Sequence, residues 1–134
     1  MQRTLTALLA AAATALAAHS ADAHHSFAAE FDAKSPIELK GTVTKVAWAN
    51  PHAFFYIDVT TPKGEVENWA LELGSPNGLM RRGWTRDSMK IGDVVSVEGS
   101  RAKDGSFKGN ARSVTLSTGQ RLFAGSSQDT AEAN

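Results

Sequence analysis

Ile37-Glu38-Leu39-Lys40-Gly41-Thr42-Val43-Thr44-Lys45-Val46-Ala47-Trp48 is the stretch that decides the fold. Ile37, Leu39, Gly41 and Val43 alternate with Glu38, Lys40, Thr42 and Thr44, which is the period of a half-buried strand. The parity then changes, and Val46 and Trp48 carry the apolar positions on the other count. The pattern therefore predicts a bulge or strong bend near Lys45. A long first strand bent in this way can be shared between two sheet faces.

Asn50-Pro51 breaks the run downstream. A second strand follows over 53–60, with Phe55, Ile57 and Val59 on one face and Phe54, Tyr56 and Asp58 on the other. Pro62-Lys63-Gly64 reads as a hairpin turn. A third strand over 65–73 turns Trp69, Leu71 and Leu73 inward. Ser75 then reads as an N-cap with Pro76 at the first helical position, and Gly83 can end the helix after about two turns. Ile91-Gly92-Asp93 leads to a fourth strand over 94–100, and Asp104-Gly105 marks the next hairpin. A fifth strand covers 110–117 with Val114 and Leu116 inward, and Arg121-Leu122-Phe123 reads as a last short strand. The expected fold is all-β: a five-stranded OB-fold-like small barrel with one short helix between strands three and four. An SH3-like barrel and a small sandwich are the alternatives. The position of the helix favours the OB order.

Upstream of Ile37 the composition changes twice. Met1-Gln2-Arg3 is a short start with one positive charge, Leu5 to Ala18 is almost entirely Ala and Leu, and Ala21-Asp22-Ala23 offers small residues for cleavage. That is the three-part pattern of a secretory signal. The apolar run is shorter than the roughly 20 residues that cross a hydrocarbon core. An uncleaved anchor or a buried helix is the competing reading. The expected organisation is a signal peptide over 1–23, an N-terminal arm over 24–36, the OB-like domain over 37–123 and a disordered tail over 124–134. The expected location is periplasmic or secreted, with no membrane span.

Net charge is zero and stays zero when Arg3 and Asp22 leave with the signal. Nucleic acid is thus not an expected partner, because a strand-binding groove needs a positive lining. There is no cysteine, so no disulfide staples the domain and its core must stabilise it alone. No Cys nucleophile, G-x-S-x-G elbow, H-E-x-x-H or P-loop is present. An enzyme is not expected.

The four histidines are His19, His24, His25 and His52. Cleavage after Ala23 makes His24 the terminal residue, where a free amine and an imidazole chelate together and His25 adds a second ring. Such nitrogen-rich donors suit Cu(II), and also Ni(II) or Zn(II). A cut after Ala21 would instead leave Asp22-Ala23-His24, whose amine, amides and imidazole wrap square-planar Cu(II). His52, in the Asn50-Pro51-His52 connection, is a candidate third ligand or a turn residue bonded to local backbone. Glu30 and Asp32 are secondary oxygen donors.

Trp48, Phe54 and Tyr56 are expected to face outward, either as a binding surface or packed under the arm through Phe27 and Phe31. Arg81 and Arg82, with Arg86 close by, form either a small anion site or a solvated group paired with Asp87 and Glu72. Trp84 is expected to plug the end of the barrel.

Several stretches together carry a resemblance. They are Ala23-His24-His25-Ser26-Phe27, Leu39-Lys40-Gly41-Thr42-Val43, Asn50-Pro51-His52, Leu73-Gly74-Ser75-Pro76-Asn77, Arg81-Arg82-Gly83-Trp84-Thr85 and Arg101-Ala102-Lys103-Asp104-Gly105. Over roughly 23–125 the chain resembles a family of small exported bacterial proteins of unknown function. The resemblance implies an exported single-domain protein and gives no activity. It strengthens His24, His25 and His52, which fall in the matched motifs. The functional expectation is a periplasmic binding module that takes a transition metal, copper first, through the processed N-terminus and His52. The alternative is a metal-free module that presents its surface to another envelope protein or a glycan.

Overall fold

The first strand begins earlier than the alternation at Ile37 predicts. In the computed structural model, which describes residues 27–125, strand β1 runs Phe31–Ala47. Residues 27–30 are helical and belong to a separate unit of the chain. Phe31 and Asp32 pair with Ala102 and Arg101 before the register shifts, and regular pairing resumes at Pro36 with Ser100. Asp32 stabilises that irregular step: its carboxylate accepts the Lys34 N–H and the Ser35 hydroxyl, each at 2.9 Å. A proline is tolerated where a strand is bulged. Half of the expected arm is thus strand, and Phe31 is buried.

The predicted bend is present. β1 pairs with β4 from Phe31 to Thr42 and with β2 from Thr42 to Ala47, and the register shifts between Val43 and Lys45. Thr44 is the added residue. Its hydroxyl donates to the Tyr56 carbonyl and accepts from the Asn68 amide. Ile37 and Val43 enter the core before the shift, and Val46 and Trp48 pack against the same core after it. Gly41 sits at the handover, where a Cβ would stand 2.5 Å from the Asp58 carbonyl oxygen.

Strands β2 (Phe54–Thr60) and β3 (Val66–Glu72) form an antiparallel pair. The turn between them closes through Thr61 and Glu65, with Gly64 at φ 83°. Helix α1 (Pro76–Met80) is capped by the Ser75 side chain, which accepts the Gly78 N–H. It is shorter than predicted. Arg82 N–H and Gly83 N–H bond back three residues, to Leu79 and Met80, which tightens the chain out of the α-helix before the left-handed Gly83. Strands β4 (Val94–Ala102), β5 (Lys108–Thr115) and β6 (Arg121–Phe123) complete the order.

The described chain is mostly β, six strands in one sheet with order β3-β2-β1-β4-β5-β6. β3 also pairs in parallel with β5, Ala70 to Glu72 against Lys108 to Asn110. The pairings therefore run β1-β2-β3-β5-β4 and return to β1, with β6 added along the later half of β5. Phe55, Ile57, Leu71, Leu79, Val43, Val95, Val97 and Val114 are the largest fully buried side chains. Each contributes about 1.5–3 kcal/mol by leaving water. Trp84 is buried as expected, and its indole N–H donates to the Phe123 carbonyl at 2.8 Å. No helix among the described residues is long and apolar enough to cross a membrane.

Candidate functional site

The β1–β2 connection is short and tied to the end of β3. Ala53 is buried; its N–H donates to the Gly74 carbonyl, and its own carbonyl accepts the Leu73 N–H. The Asn50–Pro51 peptide is cis. This tie brings His52 beside Glu72, with His52 Nδ1 2.6 Å from Glu72 Oε1. Glu72 stands opposite Phe54 in the β2–β3 register and opposite Asn110 in the β3–β5 register. It is one of three buried polar residues among the described residues, alongside Asn110 and Ser113.

An ionised carboxylate only accepts hydrogen bonds, so at this distance Nδ1 carries the proton. In its neutral form such a ring keeps its lone pair on Nε2. The imidazole is 37% exposed and the Glu72 side chain 11%, so a buried carboxylate holds a ring that solvent reaches. Metal-ligating histidines are held in the same way, by a carboxylate on the other ring nitrogen. Among the described residues no group of three His, Cys, Asp or Glu side chains gathers to hold a metal. His24 and His25 lie outside the described residues, as do the expected signal peptide and most of the expected tail. Asp32 is occupied as a turn carboxylate: the Lys34 N–H and then the Ser35 hydroxyl hold it below the usual aspartate range.

The aromatic candidates separate. Trp48 does not face outward; the added residue at Thr44 turns it toward the core, where it lines a small recess with Leu73, Trp84 and Met89. Phe54 and Tyr56 remain half-buried on the other face. Lys108 Nζ lies 5.9 Å from the Phe54 ring centre and 5.7 Å from that of Phe31. Lys45 Nζ lies 5.2 Å from the Tyr56 ring centre. Cation–π contact thus occupies a face of each ring.

The arginines separate as well. Arg81 is exposed. Arg82 stacks 4.2 Å over the Phe123 ring and donates to the Gly125 carbonyl at 3.0 Å, so it fastens the end of the described chain. Arg86 lines the recess beside Trp48. The sequence offered Glu72 as a partner for these arginines, whereas the carboxylate meets His52. The signal for that pairing is register. With Leu71 and Leu73 inward, Glu72 must face outward opposite Phe54, two residues from His52. Sequence reading also passed over an open groove of about 450 Å³ lined by Arg112, Ser113, Arg121, Leu122 and Phe123.

A model for a family of unknown function, DUF6152, matches residues 9–112. The match takes in β1 to β4 and most of β5, together with His24, His25, His52 and Glu72, and it ends before β6. The chain belongs to that family, and no curated protein matches it.

Proposed function

We propose that this family member is an exported OB-like binding module, not an enzyme, which holds a transition metal, copper first, through His52 and the processed N-terminus. The observation that carries the reading is the 2.6 Å contact between His52 Nδ1 and the buried Glu72 carboxylate. It fixes the tautomer, keeps the Nε2 lone pair for a ligand bond and makes the ring a stronger donor. His24 supplies an amine and an imidazole once the signal is cut, and His25 a second imidazole. These donors follow from the sequence alone. Imidazole and amine nitrogens favour Cu(II) over the other divalent ions of the first row.

The return of the strand pairings to β1 supports the OB reading, as do the helix between β3 and β4 and the bent β1 shared by two neighbours. Export rests on the signal pattern over 1–23. The metal-free alternative needs open aromatic faces for a glycan or a partner protein. It has less support, since Trp48 turns inward and lysines stand over Phe54 and Tyr56.

The test is calorimetric titration of the mature secreted protein with Cu(II), its N-terminus fixed by intact mass. One copper is expected to bind. Glu72→Gln should weaken it by about 10- to 100-fold, the usual cost of losing the partner that orients a ligand. Absence of binding at micromolar copper, or affinity unchanged in both Glu72→Gln and His52→Ala, removes the metal from the reading.

A further inference from the structure

The groove on β5 and β6 carries a second site, independent of His52. Its origin is a bulge. In the β4–β5 ladder Glu98 faces Ser113 and Gly99 faces Ala111, so Arg112 is left over. The backbone locks it there, because the Arg112 carbonyl accepts the Ala124 N–H at 2.7 Å and the Gly125 N–H at 3.3 Å. Bulges re-aim side chains, and this one places Arg112 on the wall of the groove. The Arg112 guanidinium has no hydrogen-bond or ion-pair partner among the described residues.

Its neighbours are already matched. Arg121 donates to Glu98 Oε2 at 2.6 Å and to the Ser113 hydroxyl at 3.0 Å, and Ser113 in turn donates to Glu98 at 3.3 Å. That triad is neutral, so the groove keeps the charge of Arg112, with Arg82 stacked on Phe123 next to it. The half-buried Phe123 gives the groove its apolar part; the Leu122 side chain belongs to the core. A guanidinium beside an apolar aromatic wall suits a planar anion with a hydrophobic body. Bare phosphate would use only the charge.

We infer that this groove binds a small organic carboxylate, its anionic end on Arg112 in fork geometry and its apolar part against Phe123. The test is an NMR titration of the mature protein with benzoate and, in a second arm, with inorganic phosphate. Benzoate is expected to shift the amides of Ser113, Leu122 and Phe123 with millimolar affinity. Arg112→Gln should weaken it by about tenfold or more, as expected for loss of a charge-assisted contact. Since only the backbone of Arg112 holds the bulge, the variant keeps its fold, and an unchanged amide spectrum away from the groove checks this. No benzoate shifts up to about 10 mM, a range that still detects weak binding, would overturn the site. So would binding unchanged in Arg112→Gln. Phosphate bound as tightly as benzoate would overturn the carboxylate assignment.

Discussion

Two carboxylate contacts in this molecule share a distance and little else. His52–Glu72 and Arg121–Glu98 both close at 2.6 Å. The carboxylate side chain is 11% exposed in the first pair and 48% in the second. Water screens and competes for the second pair, so its net contribution is small. It cannot reach most of Glu72, so the group beside that carboxylate sets its free energy. The comparison teaches that distance does not rank these contacts; burial does. It also separates two ways of building a site. Beside Glu72 a buried side chain holds the imidazole, whereas beside Arg121 the backbone does the placing, through the bulge at Arg112.

The sharpest way to break the backbone-built region is Gly99→Ala. A Cβ at Gly99 would collide with the Asn110 carbonyl oxygen and crowd Ala111 Cα, both on the strand that carries the bulge. Neither is the flexible end of a side chain, so β4 and β5 must move apart. Overpacking of this kind costs about 3 kcal/mol at its upper range. Urea denaturation should show that loss, and the groove amides should shift with it. A change under about 0.5 kcal/mol, the size of an ordinary surface substitution, would mean that the bulge relaxes freely.

Next in size is a matched pair of changes that tests burial directly. His52→Ala leaves the buried Glu72 carboxylate without its imidazole partner and should cost about 1–2 kcal/mol. Glu98→Gln, at the same distance but in solvent, should cost under about 1 kcal/mol and lose that effect in high salt. Equal losses in the two variants would dissolve the distinction between the pairs.

The strands were legible because alternation is strong wherever one face is buried. Ile37 to Val43 and the parity change at Val46 and Trp48 predicted both the strand and its bulge. Yet the same parity change argues that Trp48 turns inward, and the expectation of an outward Trp48 neglected its consequence. The first six residues of β1 were hidden because Asp32, Lys34, Ser35 and Pro36 are polar or helix- and strand-breaking. Their pairing depends on β4, far away in sequence. The helix was over-extended because Gly83 looked like its end, whereas the turn closes through three-residue bonds from Met80. His52 was visible as a histidine in a tight connection. Its partner was not, because Glu72 reaches it only once β2 and β3 are in register. Arg112 had no signal beyond Ala111 and Val114 sharing a face at odd spacing, the mark of its own bulge.

The smallest effect lies in the hairpin that joins β4 to β5. Asp104 Oδ1 accepts the Ser106 hydroxyl at 2.6 Å and the Ser106 N–H at 2.9 Å. Those two bonds, the hydroxyl first, hold its carboxyl below the ordinary 3.8. A carboxyl whose pKa is lower in the folded state than in the unfolded chain favours folding above the unfolded value. It loses that contribution as pH falls through the folded value. The melting temperature of the native protein should therefore exceed that of Asp104→Ala at neutral pH, and the gap should narrow only below 3.8. Gly105, at φ 76°, keeps the turn geometry in both proteins, so the narrowing reports the carboxylate and not a reshaped hairpin. Asp104 is fully exposed, so the gap stays smaller than the one His52→Ala opens, as the burial ranking requires. A gap that persists unchanged to pH 2 would assign the turn's stability to the backbone and Gly105 alone.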